Sequence, residues 1–435
     1  MRIRFAVVAA ASAFATLPSW GQGFQVGSAT NVTIGGLLAV GVKQSEVSQG
    51  NAAAARPGLG PELRLDDNTS RLIISSTSKI TEGWNVIFRI ESRFQADVRP
   101  IDPAIPGTTI YSGNITGWAD GDTWGGVSSP YGSLVFGKST LYYTDTISVG
   151  YLAPSLEAPG ESYRIWDDNG LGTFNMLDQV TPVNKTTGAA IGSTFTMGNT
   201  RSRNVIRFNS INYSGFDFSL AYSKNPDGDE LKYAVNAPAA VPGTAGYLTR
   251  AYNNGGTIYA GAKYNGGPIS ATFSYLDKKV NGGVTAAGYA GPQDVKAYRL
   301  GVSYKLPINL KIGVVYDNTS VDNAIIGTVA TSEAAKRGVF EVPISYAWGD
   351  HAVYMTYSKA GETTSRPDTG AQQLNLGYDY AMTKRAFIGV FFTQIKNEKS
   401  AHYTPFLAGY SLGGTANSVT GEGWRQIGFN LNYWF

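Results

Sequence analysis

The chain has 435 residues and a formal net charge of +3, and its basic residues form no run long enough to indicate a nucleic-acid partner. It contains no cysteine, which excludes a disulfide framework and thiolate chemistry. The 53 glycines, 26 tyrosines and 19 phenylalanines favour a strand-rich protein over a helical bundle.

Residues 1–21 have the features of a cleaved secretory signal peptide. Arg2 and Arg4 form a short positive region, residues 5–17 are apolar and rich in alanine, and Ser19 and Gly21 are the small residues of a cleavage site. The alternative is an N-terminal membrane anchor. It fits less well, because the apolar stretch is shorter than the about 20 residues that a spanning helix needs. We therefore expect a mature chain of residues 22–435 that forms one domain.

Beyond residue 21, apolar and polar side chains alternate in segments of about ten residues, which is typical of β-strands with one apolar face. Phe216, Phe218 and Leu220, for example, alternate with Asp217 and Ser219. The alternation predicts sixteen strands, at about residues 31–43, 70–79, 84–94, 121–129, 132–138, 201–209, 216–223, 256–264, 268–276, 294–304, 308–317, 337–347, 351–359, 371–381, 386–395 and 424–435.

The connections between these strands alternate in length. Short turns follow the even-numbered strands, and long polar connections follow the odd-numbered ones, as at residues 44–69, 139–200, 224–255 and 396–423. This arrangement is typical of bacterial outer-membrane barrels, and an even strand number closes the sheet without edges. We therefore predict an all-β fold, a 16-stranded antiparallel transmembrane β-barrel with short periplasmic turns and long extracellular loops. A soluble sandwich or propeller would also show alternation, but it does not explain the loop lengths.

Two local features refine this prediction. Tyr264, Tyr304, Tyr346 and Tyr380 lie beside short turns, where the aromatic girdle of a barrel meets the membrane surface. Pro343 lies inside the twelfth strand and has no N–H for the hydrogen-bond ladder, which predicts a β-bulge there.

Several segments resemble, in chain order, the Gram-negative trimeric general porins, and in particular their β-proteobacterial branch. They are residues 31–36 on the first strand, 70–72 on the second, 131–138 before the third loop, 203–208 and 215–216 on the sixth and seventh strands, and the C-terminal Phe435. Lys138 departs from the family, which usually has arginine there, and lysine lacks the bidentate geometry of arginine.

The resemblance implies an outer-membrane channel of a Gram-negative bacterium for passive diffusion of ions and small hydrophilic solutes, without catalysis, cofactor or metal. It also implies a homotrimer that contacts outer-membrane lipid and lipopolysaccharide. Phe435 would be the signal that the barrel-assembly machinery reads during biogenesis.

The alternation also assigns charged residues to the inner face. Ten are bases: Arg71, Lys79, Arg89, Arg93, Arg201, Arg203, Arg207, Lys263, Arg299 and Lys311. Five are acids: Glu91, Asp217, Asp317, Glu341 and Asp379. The bases concentrate on the second, third and sixth strands, which predicts one positive patch on the wall. Together with the motif residue Lys138, the predicted basic wall of a pore constriction comprises Arg71, Arg89, Arg93, Lys138, Arg201, Arg203 and Arg207.

The third connection, residues 139–200, is too long for an ordinary loop and is rich in acids. In the resembling family this loop folds into the barrel and narrows it, which predicts an inward-folded third loop here; a loop on the surface is the alternative. An acidic loop opposite a basic wall would create a transverse field and leave only a weak preference for anions. The predicted acids of this loop are Asp145, Glu157, Glu161, Asp167 and Asp168.

Two other functions stay open at this point. A substrate-selective channel would have the same fold, because residues 224–255 and 396–423 do not reveal their specificity. A barrel enzyme has less support. The only two histidines, His351 and His402, lie apart in the strand pattern and have no accompanying motif for a metal or a Ser-His-Asp site.

Overall fold

The computed structural model describes residues 22–27, 29–52, 60–66, 70–94, 118–119, 121–141, 201–224, 256–280, 293–321, 325–326, 329–330, 335–364, 367–401, 403 and 420–435. Within these ranges no helix is long and apolar enough to cross a membrane. Sixteen strands form one closed antiparallel barrel, which confirms the predicted fold. Numbered in chain order, they are β1 Thr30–Ser48, β2 Arg71–Thr81, β3 Trp84–Arg93, β4 Thr123–Ser129, β5 Gly132–Thr140, β6 Arg201–Ser210, β7 Phe216–Lys224, β8 Gly256–Gly266, β9 Ile269–Val280, β10 Gln293–Lys305, β11 Leu310–Val321, β12 Ala335–Trp348, β13 His351–Ala360, β14 Ala371–Ala381, β15 Ala386–Asn397 and β16 Gly423–Trp434.

The last strand returns to the first and closes the barrel. β16 pairs with the second half of β1, beginning with Trp434 opposite Leu37. Gly36 and Phe435 complete the junction by exchanging two backbone hydrogen bonds, 3.1 Å from Gly36 N and 3.2 Å from Phe435 N. The barrel therefore has no free strand edge at its seam.

The two faces of the barrel differ as the alternation predicts. In β7, Phe218 and Leu220 are exposed on the outside, at 43% and 53% of their surface, whereas Ser219 and Ser223 are buried inside. Most other strands also carry exposed aliphatic or aromatic side chains on the outer face. An apolar surface of this extent is stable against lipid, and a closed barrel pairs its backbone groups without water.

An aromatic girdle surrounds the barrel end that carries the short turns. Tyr346, Trp348 and His351 stack in sequence at the turn between β12 and β13, with ring centroids 5.4 Å apart in both contacts. His351 also packs on Tyr380, and its Nδ1 lies 2.8 Å from the hydroxyl of Tyr378. His351, one of the two histidines for which the sequence shows no accompanying catalytic motif, is thus part of the girdle.

Four short strands lie outside the predicted set. Gln22–Val26 folds back on the start of β1 through a turn at Gly27, and Glu62–Asp66 pairs with the middle of β1. Ile325–Ile326 and Val329–Ala330 pair with each other. Such short segments offer too few alternations to separate them from polar loops. Cleavage of the leader before residue 22 stays a prediction.

The prediction of a β-bulge at Pro343 is wrong. β12 pairs with β11 on both sides of the proline without an extra residue, and Pro343 is in register with Thr356 on β13. Gly313 of β11 lies next to the proline ring, where an added Cβ would be 3.1 Å from Pro343 Cγ. The glycine leaves room for the ring, so the ladder is interrupted on one side while the register is kept.

Candidate functional site

Three arginines form a basic cluster on the inner face of β2 and β3. The register sets Arg71 opposite Arg93, and Arg89 shares their face together with Glu91. Arg89 Nη2 lies 2.9 Å from Glu91 Oε2, whereas Arg93 Nε and Arg71 Nη1 lie 3.4 Å and 3.9 Å from Glu91 Oε1. The Glu91 side chain is 5% exposed, and the arginines keep more accessible surface. One carboxylate thus holds three guanidinium groups, and an excess of positive charge faces the lumen.

The backbone that leads into β4 covers Glu91. Gly121 donates its backbone N–H to the Glu91 carbonyl at 2.9 Å. A Cβ added to Gly121 would lie 2.4 Å from Glu91 Cγ, so only glycine fits at this approach. The contact limits the freedom of the Glu91 side chain, and with it the positions of the three arginines.

Acidic side chains lie on the wall across the lumen. Arg299 on β10 and Asp317 on β11 face each other in the register and form a salt bridge of 2.9 Å, and Glu341 lies on β12. β11 is eight strands from β3 in a ring of sixteen, which puts it on the opposite side of the barrel. Among the described residues, Glu341 Oε2 has no hydrogen-bond donor although Glu341 is 3% exposed. The β2–β3 wall is therefore basic and the β11–β12 wall carries carboxylates.

The chain turns into the lumen where it leaves β5. Leu141 is the first residue after β5, and none of its surface is exposed. It belongs to an interior cluster with Val205 of β6, Tyr259 of β8 and Leu276 of β9. The third connection therefore begins along the inner wall.

Arg207, predicted as part of the basic wall, lies inside the barrel but is only 1% exposed. Its Nε lies 2.7 Å from Asn209 Oδ1, its Nη1 lies 2.9 Å from the Thr140 carbonyl, and its Cζ is 5.5 Å from the centroid of the Tyr259 ring. Asp122 Oδ1 accepts hydrogen bonds from the backbone N–H and the hydroxyl of Thr140. Arg207 and Asp122 thus fix the point where the chain leaves β5.

The last connection also enters the lumen. Tyr403 is 2% exposed and belongs to an interior cluster with Val315, Val339 and Trp424. Arg337 of β12 donates to the Tyr403 hydroxyl, and its Cζ lies 5.4 Å from the centroid of the ring. A tyrosine after β15 therefore stands against the wall formed by β11, β12 and β16.

Asn397 ties the backbone of this segment to the end of β15. Its Nδ2 donates to the carbonyl oxygens of Tyr403 and Glu422, both at 2.8 Å, and its Oδ1 accepts the Tyr403 N–H at 3.0 Å. The amide side chain thus joins the two ends of the last connection, and the position of Tyr403 is set from both its ring and its backbone.

Arg203 departs from its predicted place on the inner face because β6 contains a β-bulge. Arg203 and Asn204 together stand opposite the single residue Lys138 of β5. Asn204 has a φ of 53°, in the left-handed region that asparagine tolerates better than most residues. The extra residue reverses the alternation, so Ser202 is buried and Arg203 is exposed. The assignment of Arg203 to the inner wall is corrected accordingly.

Lys138 lies on the outward face of β5. It follows two residues after Phe136, which is exposed on the outside, and it is in register with Thr123 of β4. Its Nζ donates to the carbonyl of Ala119 at the loop end of the barrel. This strand keeps its alternation through Gly137, so the assignment of Lys138 to the inner basic wall is corrected as well.

The remaining predicted residues divide into two groups. Arg201 opens β6, where its backbone is in register with Thr140. The acids predicted on the third connection lie outside the described residues, and their role in a constriction stays a prediction: Asp145, Glu157, Glu161, Asp167 and Asp168.

Among the residues that the structure describes, three buried bases of the inner wall are absent from the predicted set. Lys43, Lys278 and Arg337 are 2%, 3% and 2% exposed. Alternation already places Lys43 on the inner face of β1. Arg337 lies four residues before Glu341 on β12, so alternation places both on the same inner face. Lys278 lies beyond the predicted end of β9 at residue 276, so only the true length of that strand reveals it.

Comparisons with known proteins agree with this architecture. The chain is similar in structure to the anion-selective porin from Comamonas acidovorans, with a TM-score of 0.60 at 18% identity over 93% of this chain and 100% of that one. It is similar to OmpT of Vibrio cholerae (TM-score 0.57, 12% identity, 95% and 100% covered) and to Salmonella typhi OmpF (0.53, 14%, 95% and 100%). No curated protein sequence matches the chain significantly.

The sequence itself matches the model of the Gram-negative porin family over residues 5–400. That match spans most of the chain, and the closed barrel with its apolar outer face is the architecture the family requires. The chain therefore belongs to the Gram-negative porin family and is a multi-pass β-barrel protein of the outer membrane.

Proposed function

We propose that this porin is a general diffusion channel, through which ions and small hydrophilic solutes pass in water, with a weak preference for anions. The observation that carries the proposal is the basic cluster of Arg71, Arg89 and Arg93, which outnumbers its single carboxylate, Glu91. Fixed charges on a lumen wall attract ions of opposite sign without stripping their water. The similar protein from Comamonas acidovorans is an anion-selective porin, which supports the sign.

The preference is weak because the lumen also carries acids. Glu91 neutralises part of the cluster, and Asp317 and Glu341 add carboxylates to the opposite wall, where Asp317 pairs with Arg299. Salt screens charges over a Debye length of about 10 Å at 0.1 M. We therefore expect the preference to fall as salt is raised.

The third connection is the proposed constriction. Leu141 supports this, since it begins the connection inside the barrel, and the acids that follow would face the basic wall across a narrow water column. A transverse field of this kind orients dipolar solutes and disfavours apolar ones, which must displace ordered water.

Planar-bilayer recording of the purified protein tests the proposed function. We expect a current that is linear in voltage and proportional to bulk salt. In a KCl gradient, the reversal potential should have the sign expected when chloride is more permeable than potassium. A current that saturates with one solute would instead favour a substrate-selective channel. A protein that barely conducts would favour a barrel enzyme.

A homotrimer is the proposed assembly, supported by one similar structure, the trimer form of OmpT of Vibrio cholerae. A barrel whose strands are all paired unfolds slowly, so the assembly should resist SDS until it is heated. We expect unheated protein to migrate as a trimer on SDS gels and to have a trimeric mass in mild detergent. Monomer migration together with a monomeric mass would contradict this.

Phe435 is the proposed signal for the barrel-assembly machinery. Its backbone closes the seam with Gly36, next to the pairing of Trp434 with Leu37. Lipopolysaccharide and other outer-membrane lipids are proposed partners of the apolar outer face.

A further inference from the structure

Five neighbouring strands carry an uncharged polar strip on the inner face of the barrel. At one level, the inward side chains of β13, β14, β15, β16 and β1 are in direct register from each strand to the next. Each of the five ends in a hydroxyl or an amide, and each is at most 2% exposed. In order around the ring they are Thr356, Asn375, Thr393, Gln426 and Ser45.

The uncharged strip lies midway between the two charged walls. Its middle strand, β15, is four strands from β11 and, through β16, β1 and β2, four strands from β3. Among the described inner-face residues of these five strands, the charged ones are Lys43 and Asp379, one and two rows nearer the short turns. The strip itself therefore attracts neither cations nor anions, and its interactions with solutes are hydrogen bonds.

Hydrogen bonds within the strip orient its side chains and leave two further atoms unused. Thr393 Oγ1 donates to Asn375 Oδ1 at 2.9 Å, and Gln426 Nε2 donates to Ser45 Oγ at 3.1 Å. Within the described part of the chain, Gln426 Oε1 and Thr356 Oγ1 have no hydrogen-bond partner, although both atoms are buried. A buried polar atom without a partner is destabilising, so each of these two atoms calls for water or a solute.

Aromatic side chains border the strip above and below. Phe391 of β15 lies one row nearer the short turns and covers Gly428 of β16, where an added Cβ would be 2.4 Å from Phe391 Cε1. Trp424 of β16 lies one row nearer the long connections and packs in the interior cluster with Tyr403. Sites for small solutes combine such apolar surfaces with a few oriented polar groups.

These groups match a neutral solute that is rich in hydroxyls. The hydroxyls and amides of the strip both donate and accept hydrogen bonds, as each hydroxyl of a sugar does. An ion or a zwitterion finds no opposite charge in the strip, and the fixed charges of the two walls attract it instead. A sugar can use the strip for its hydroxyls and the Phe391 ring for its apolar face.

We propose that the uncharged strip binds neutral sugars as they pass through the channel. The inference rests on the proposed diffusion function, because the sugar reaches the strip through the lumen. Four spacings of about 4.8 Å between strands give the strip a length of about 19 Å, which suits a short oligosaccharide. Binding has to be weak, because a solute that is held tightly does not leave the channel.

Planar-bilayer recording in KCl with raffinose, a neutral trisaccharide, tests the proposal. We expect raffinose to reduce the ion current along a saturable curve with its midpoint in the millimolar range. Poly(ethylene glycol) of the same mass is the control for occupied volume. It lacks the row of hydroxyl donors, so it should reduce the current without saturation.

The current in KCl alone tests the diffusion function separately, and calorimetry with raffinose tests the sugar site without any current. A channel that conducts in KCl but shows neither saturable block nor heat of binding would overturn the sugar site alone. Heat of binding in a protein that barely conducts would keep the sugar site and contradict the diffusion function.

T356V/Q426M removes the two unused polar groups and nearly keeps the size of both side chains. Affinity for raffinose should fall roughly 25-fold, about fivefold for each hydrogen bond lost. The matched control is T257V/T272V, which removes two buried hydroxyls without partners on β8 and β9, outside the strip. It should leave the affinity unchanged. An equal loss in both variants, or no loss in T356V/Q426M, would contradict the proposal.

Two measurements on the unaltered protein do not depend on any variant folding. Permethylated raffinose keeps the sugar rings but has lost every hydroxyl donor, so it should bind far more weakly. Affinity for raffinose should change little as salt is raised, because neither the sugar nor the strip is charged. Equal binding of the permethylated sugar, or an affinity that falls steeply with salt, would argue against hydrogen bonding by the strip.

Discussion

Replacing Arg71 and Arg93 together with glutamate is expected to reverse the ion preference of the channel, so that the reversal potential in a KCl gradient changes sign. The two substitutions change the charge beside Glu91 by about four units. In water a unit charge acts on an ion about 6 Å away with about 0.7 kcal/mol, and screening at 0.1 M salt reduces this roughly by half. Over four charge units the screened interaction adds up to about 1.4 kcal/mol. This changes the permeability of each ion roughly tenfold, in opposite directions for chloride and potassium.

Arg203→Glu is the control for this experiment, because the β-bulge leaves Arg203 exposed and outside the inner wall. It should shift the reversal potential little. A shift as large as that of the double variant would put Arg203 in the ion path, and an unchanged potential in the double variant would place the selectivity elsewhere. Trimer migration on unheated gels checks that lumen substitutions leave the barrel folded.

Tyr403→Ala is expected to release the last connection from the lumen wall and to raise the single-channel conductance. Truncating a buried aromatic side chain costs about 3 kcal/mol or more, because its apolar contacts are lost and a cavity remains. The Tyr403 ring contacts Arg337 and the interior cluster, so its removal weakens the contacts that attach the last connection to the lumen wall. About 3 kcal/mol corresponds to a population change of roughly a hundredfold toward the released state.

Cleavage by trypsin at Lys399 reports the same release independently, because proteolysis follows the population of the open segment. Tyr403→Phe is the matched control. It keeps the ring in the cluster and removes only the hydroxyl that Arg337 contacts, so it should raise conductance and cleavage less than Tyr403→Ala does. If Tyr403→Ala changes neither conductance nor cleavage, the Tyr403 ring does not hold the connection.

The strands were predictable because a half-buried strand repeats every two residues and sixteen of them repeat the same signal. Alternation predicts the wrong face where one residue breaks the period. Asn204 adopts a left-handed conformation that nothing in the alternation indicates, and from there the face of Arg203 is reversed. At Pro343 the opposite error occurs: a bulge was predicted, but the strand keeps its register because Gly313 on the neighbouring strand makes room for the proline ring.

Features that depend on the register between strands could not be predicted from the sequence. The salt bridge between Arg299 and Asp317 exists only because residues of two strands meet at one level, and alternation predicts strand positions more accurately than their relative heights. The same holds for the contact between Arg337 and Tyr403, which joins β12 to the last connection. The basic cluster was predictable because Arg89, Glu91 and Arg93 lie on one strand at steps of two.

The seam between Gly36 and Phe435 also determines the order in which the barrel forms. The hydrogen bonds that close the sheet join β1 to β16 and Phe435, so the barrel cannot seal until β16 has been synthesised. Contacts so distant in sequence form slowly, because the entropy of closing the intervening chain must be lost first. Until then β1 and β16 each present an unpaired edge that could join another chain. The unsealed chain therefore has to be kept apart from its own copies on its way to the membrane.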